Sequence, residues 1–234
     1  MSEVGTQILD CLARVERQRQ RRAVELALGE TTQRLKAFQQ ERFRRAYGDL
    51  LATPRYTHAA RFFLEELYGP ADFSRRDAQF QRIVRPLVRL FPCEVVDTVH
   101  ALAQLHALSE ELDSAMAERL LESPLQAADY TAAWQAVGQP EARQRQIELT
   151  LAVGRALDVY TRKPLLRHSL RLMRGPAQLA GLHELQDFLE CGFDTFRAMR
   201  SAQEFLGTVQ GREQELAQHL FAGDPEGKLL SLMS

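Results

Sequence analysis

Cysteine is scarce in this sequence, and its placement excludes several classes. Cys11, Cys93 and Cys191 are an odd number, lie far apart and form no CxxC pair. That argues against a zinc knuckle or a disulfide framework and suits a reducing cytoplasm. Each cysteine reads as a small packing residue. No apolar run approaches the ~18 residues that a membrane span needs, and residues 1–22 hold no apolar segment flanked by a cleavage site, so neither a span nor a secretory signal is expected. Charge of one sign is also missing. Thirty basic against 31 acidic residues leave a net charge of −1, which gives no reason to expect nucleic acid or an anionic membrane as a partner. Alternating strand patterns are absent, and so are G-x-S-x-G, H-E-x-x-H, a P-loop and a dinucleotide fingerprint.

What is present is helical periodicity nearly everywhere. Ala, Leu, Gln, Arg and Glu dominate, all strong helix formers. A long N-terminal helical region covers about 1–55, with a break expected near Gly29-Glu30-Thr31-Thr32, where Thr31 or Thr32 would cap a new start. Pro54 ends it. A short helix from Thr57 to Tyr68 is stopped by Gly69-Pro70. Ser74 reads as the N-cap, with Asp77 at N3, of a helix reaching Leu90. Phe91-Pro92 separates it from a long helix over Cys93–Leu121. Ser123-Pro124 marks a loop, and a short helix then carries Trp134. After Gly138-Gln139-Pro140 a helix runs over 141–160. Pro164 opens the next, which Gly175-Pro176 stops, and a final pair covers 180–199 and 202–221. A turn-rich tail occupies 223–234. The expected fold is all-α: one domain over 1–234, a bundle of eight or nine helices with short connections. Gly69-Pro70-Ala71 and Gly175-Pro176-Ala177 echo each other. A duplicated unit is one reading, coincidence the stronger one, because Gly-Pro is a common helix stop.

Two segments, RFFLEELYGPADFSRRD and LRLMRGPAQLAGLHELQDFLECGF, resemble a bacterial family of proteins of unknown function named for an FFLEELY motif. The first carries that motif letter for letter from Phe62 to Tyr68. The resemblance covers about Ala37 to Phe205. It implies an all-helical bacterial protein and brings no activity, substrate or catalytic residue with it.

Glu66 is the residue that periodicity leaves unexplained. Ala59, Phe62, Phe63 and Leu67 share a broad apolar face, and Glu66 projects from its middle, whereas Glu65 pairs with Arg61 on a polar edge. Burying an unpaired carboxylate costs several kcal/mol, so the favoured expectation is a buried Glu–Arg clamp, ahead of a metal ligand or an acid/base group. On the helix from Cys93, an apolar stripe runs through Val95, Val99, Leu102, Leu105, Leu108, Leu112, Met116 and Leu120. His106, Glu110 and Asp113 lie along its flank. Glu and His at helical spacing can chelate a metal in a bundle, but such sites use a Glu-x-x-His pair on each of two helices. None occurs here, so a surface flank is the favoured reading.

The helix from Leu182 turns Leu182, Leu185, Leu189, Phe193 and Phe196 inward and sets His183, Asp187, Glu190 and Asp194 in an acidic line. His183 with Asp187 is a further metal candidate. Arg167, Arg171 and Arg174 form a basic line on the preceding helix. These opposite ridges would pair with one another or dock a partner, and three arginines at helical spacing also suit a phosphate. The run Arg17–Arg22, free of aromatics, reads as a solvated or helix-packing face rather than a nucleic-acid site.

The favoured function is a non-enzymatic cytoplasmic module that works through helix surfaces, as a homo-oligomer or with a protein partner, with no cofactor and no catalytic residue assigned. The alternative is a helical metal- or cofactor-binding protein, an enzyme in one version, drawing on Glu66, His106, Glu110, His183 and Asp187.

Overall fold

Strong helix formers broken by Gly and Pro give a chain of helices, and among the described residues there is no strand. The computed structural model describes residues 2–67, 70–223 and 227. The helices are α1 (Glu3–Val24), α2 (Leu26–Ala46), α3 (Gly48–Ala52), α4 (Thr57–Phe62), α5 (Ser74–Leu90), α6 (Cys93–Arg119), α7 (Ala127–Val137), α8 (Pro140–Thr161), α9 (Pro164–Leu172), α10 (Arg174–Leu179), α11 (His183–Ala198) and α12 (Gln203–Phe221). A π-helical turn, Phe63–Leu67, continues α4. This exceeds the eight or nine helices expected. The surplus is α3 and α10, of five and six residues, too short for periodicity to separate from their neighbours, together with the division of the N-terminal region into α1 and α2. Among the described residues no helix is long and apolar enough to cross a membrane.

Three local expectations are corrected. The N-terminal break falls at Glu25 (φ −93°, ψ 84°), ahead of Gly29, while Thr31 and Thr32 are buried inside α2. Gly29 still serves the break. A Cβ there would stand 2.6 Å from the Arg22 carbonyl oxygen, so only glycine lets the two helices fold so tightly together. Ser74 does not cap α5. The cap position is Phe73, whose side chain makes no capping bond, and Asp72 accepts from the Ser74 N–H (2.9 Å) and hydroxyl (3.0 Å), which frees Asp77 for another role. Gly175-Pro176 does not stop a helix but sits in the first turn of α10, where the missing N–H has no intrahelical acceptor to lose. Pro70 and Ala71 are non-helical whereas Gly175–Ala177 are helical, so the two segments differ in local structure; Gly69 lies outside the described residues. So do Tyr68, which closes the motif, and most of the turn-rich tail.

The π turn falls inside the motif. Its wider ring inserts an extra residue and rotates the next residues out of α register. Gln40 Nε2 on α2 donates to the Leu64 carbonyl (3.0 Å), satisfying a backbone group within the turn. Phe62, Phe63 and Leu64 are buried in a cluster with Phe43, Tyr47, Phe196 and Phe205, each such side chain contributing roughly 1.5–3 kcal/mol.

Helix α6 is central. It packs against α1, α2, α5, α7 and α8. Of the predicted stripe only Leu112, Met116 and Leu120 are buried; Val95, Val99, Leu102, Leu105 and Leu108 are half-buried, and the buried surface takes in Val96, Ala103, Ala107, Ser114 and Ala117 instead. A helix covered on most sides loses amphipathic contrast, and any polar side chain on it must then be paired inside the protein.

Candidate functional site

Glu110 and Asp113 are such side chains. Both are buried, which corrects the surface-flank reading: α1 and α2 lie over the flank that periodicity left polar. Glu110 accepts from Lys36 Nζ on α2 (2.6 Å) and from Arg22 on α1. Burial alone would raise its pKa, but Lys36 and Arg22 overcome that and hold it down to about 2. Asp113, one turn on, accepts from the neutral amide of Gln39 (3.1 Å), and burial pushes its carboxyl up.

Asp77, released from capping, lies against α1 and α6. It accepts from Arg19 and stands 2.7 Å from His106 Nε2. Burial works against its charge, but the hydrogen bond and charge of His106, with Arg19, hold its pKa below the usual value. The run Arg17–Arg22 is therefore a packing face, contributing Arg19 to Asp77, Arg21 to Glu118 and Arg22 to Glu110.

Farther along α2, Arg42 donates from Nη1 and Nη2 to the two carboxylate oxygens of Glu213 on α12 (both 3.2 Å), and the Tyr47 hydroxyl adds a 2.9 Å bond to the same carboxylate. The Arg143 guanidinium of α8 lies 3.9 Å over the Trp134 ring of α7.

Lys36, Arg42, Arg143, Glu110, Asp113 and Glu213 line one cavity of about 190 Å³, with Tyr130, Trp134, Ile147 and Leu216 supplying apolar wall. Its polar groups converge from α2, α6, α7, α8 and α12. A surface groove along α1, α2 and residues 70–74 shares Lys36, Phe73 and Glu110 with the cavity. Arg42 is 5% and Trp134 9% exposed, yet Arg42 Nε and Trp134 Nε1 find no acceptor among the described residues. Buried polar groups are nearly always paired. Space, aromatic wall and unspent donors together make a pocket able to bind and orient a small molecule.

A family described as a domain of unknown function (DUF8198) matches residues 17–227. The chain belongs to that family. The DUF8198 match takes in every charged residue of the cavity and the π turn, and it brings no activity with it. No curated protein and no solved structure matches the chain.

The remaining candidates lie elsewhere. Glu66 meets Arg76 (3.2 Å) as a Glu–Arg pair, but its side chain is 36% exposed, not buried, because the π turn swings it toward the rim. Arg76 lies between the Phe73 and Phe188 rings at 3.9 and 4.2 Å, and burial lowers its pKa. The basic and acidic ridges do pair, Arg174 with Glu190 and Arg167 with Asp194 (2.8 Å). Arg174 holds the Glu190 pKa low, and Arg171 adds to that. His183 is exposed, 3.9 Å from Glu184; Asp187 and Leu189 are exposed too, the latter against expectation. Cys93 and Cys191 are exposed rather than packed, and only Cys11 is buried. Among the described residues no group of three or more His, Cys, Asp or Glu is placed to hold a metal ion. Lys36, Arg42, Arg143 and Glu213 went unnoticed in the sequence, and Trp134 was noted only as part of a short helix. The one local signal was Arg42 set between Phe38, Phe43 and Tyr47, an anomaly of the same kind as Glu66.

Proposed function

We propose that this protein is a helical binding protein that holds a small organic molecule in the cavity between α2, α6, α7, α8 and α12. One observation carries the reading: a charged and aromatic cavity whose buried donors, Arg42 Nε and Trp134 Nε1, are left without acceptors among the described residues. Three free thiols suit a reducing compartment, so we take the protein to be cytoplasmic. The test is direct. Protein purified without denaturation is extracted into solvent and the extract examined by mass spectrometry, beside an Ile147→Phe variant that fills the cavity. A small molecule present near stoichiometry in the parent and lost from the variant supports the reading. Trp134 is the only tryptophan, so its fluorescence reports occupancy. An empty extract together with no fluorescence response to a broad metabolite set would reject it.

The exposed apolar residues of α9 and α10 favour a second reading, an interaction module that docks a protein partner or a second copy. Leu165 and Leu172, seven apart on one face of α9, are 81% and 65% exposed, and Leu179 on α10 is 92% exposed. Exposed apolar patches of this kind mark contact surfaces. Light scattering over a range of concentrations, and pull-down compared between the parent and a Leu165→Glu/Leu172→Glu variant, test it. A strict monomer with no partner lost on substitution counts against it.

A further inference from the structure

We propose that α9 and α10 seat the protein on an anionic lipid surface, lying among the headgroups without crossing the bilayer; this rests on the reading of that face as a contact surface. Net charge hides the feature. The chain carries −1 overall, yet residues 159–183 hold five Lys and Arg and no Asp or Glu. Both short helices, with their exposed apolar residues, fall inside this acid-free segment.

Apolar exposure comes first. Leu165 and Leu172 stand two turns apart on one face of α9. Met173 and Leu179 follow, and all four are at least half exposed. Neither the cavity nor the groove takes in any residue of the segment, so these side chains project from a convex surface. A protein interface buries its anchors in pockets and matches them with anchors on the partner. A bilayer asks only for leucines on one side of a helix with basic residues flanking them.

Charge then selects the occupant. Arg162 pairs with Asp158, Arg167 with Asp194 and Arg174 with Glu190, so three of the five cations are spent inside the chain. The exposed Asp187 acts on Arg174, which is already among those three. Lys163 and Arg171 are exposed and make no ion pair among the described residues. Lys163 sits at the start of α9, two residues from Leu165, and Arg171 is next to Leu172. Their long stems can lie along apolar surface while the charged heads reach a phosphate. A second copy docked through the same face about a twofold axis would set these cations against one another. An anionic surface neutralises them.

The experiment sediments the full-length protein with vesicles of phosphatidylcholine and with vesicles of equal parts phosphatidylcholine and phosphatidylglycerol. Binding should appear on the anionic vesicles, weaken as salt is raised, and be about tenfold or more weaker on the neutral ones. Lys163→Gln/Arg171→Gln should weaken it by about tenfold or more, the combined effect of two basic residues at an anionic surface. Leu165→Ala/Leu172→Ala should also weaken it by about tenfold, with circular dichroism verifying that the fold is intact. No binding to anionic vesicles, equal binding to both kinds, or binding that neither variant changes would overturn the lipid assignment. A dimer that Leu165→Ala/Leu172→Ala dissolves, without vesicle binding, would give the face to a second copy instead. Failure on vesicles, with a strict monomer and no partner lost on substitution, would remove the contact reading as well.

Discussion

Glu110 and Asp113 stand one turn apart on α6, both buried, and their carboxyls are driven in opposite directions. Lys36 and Arg22 clasp the first and lower its pKa to about 2. The second meets an amide, and burial raises it. Three residues of spacing therefore separate a carboxyl held low in pKa from one whose pKa is raised, a division set by which residues of α1 and α2 reach each one.

Glu110 should make the protein acid-sensitive. Its folded pKa is depressed, so its contribution is complete above the ordinary value of 4.5 and is lost as pH falls toward about 2. A carboxyl held that far down contributes on the order of 3 kcal/mol. Glu110→Gln leaves two cations uncompensated and should lower stability near neutral pH by about 3–5 kcal/mol. Urea denaturation near neutrality and in acid should show that deficit shrinking as pH drops; an equal deficit at both would refute the assignment.

Asp113 carries the opposite sign. A raised folded pKa gives stability that is present at low pH and lost as pH rises through it. Asp113→Asn keeps the acceptor for Gln39 and deletes the charge, so it should unfold at higher urea near neutral pH and match the parent in acid. A variant less stable than the parent at neutrality would show that the ionised form is the one the fold prefers.

Gly29 should resist substitution. Its missing Cβ makes room for the Arg22 carbonyl, and Arg22 in turn holds Glu110. In an ordinary helix Gly→Ala is stabilising. Here the clash should make Gly29→Ala destabilising, by about 1–3 kcal/mol as for overpacked interiors. Any gain in thermal midpoint would count against the tight α1–α2 corner.

At the π turn, Arg76 should matter more than Glu66. With its side chain 36% exposed, Glu66 makes a screened pair, and Glu66→Gln should cost less than about 1 kcal/mol. Arg76→Lys keeps the charge but loses the flat guanidinium between Phe73 and Phe188, and should cost about 1–2 kcal/mol. Chemical denaturation of the two variants ranks them, and the reverse order would sink the idea.

Much of the helical framework was legible because Pro, Gly and periodicity act locally. The breaks at Phe91-Pro92, Ser123-Pro124 and Gly138-Gln139-Pro140 fall where the residues put them. The N-terminal break moved four residues because what fixes it is a carbonyl approaching Gly29, a contact between helices. Glu66 was singled out on an assumed α register that a π turn replaces. The cavity was nearly invisible. Arg42 and Glu213 are 171 residues apart, and Lys36 and Glu110 are 74 apart, so no local pattern joins them.

The sequence by itself determined that this chain is helical, roughly where its helices lie, and that no strand or large charge excess would shape it. Those properties follow from backbone preference and side-chain periodicity, which act over a few residues. Tertiary structure alone decided that α6 is enclosed, that Glu110 is an anion clasped by two cations while burial raises the pKa of Asp113, and that Arg42 and Trp134 keep unspent donors beside a cavity. Burial and charge pairing depend on what lies opposite, and helix packing sets that.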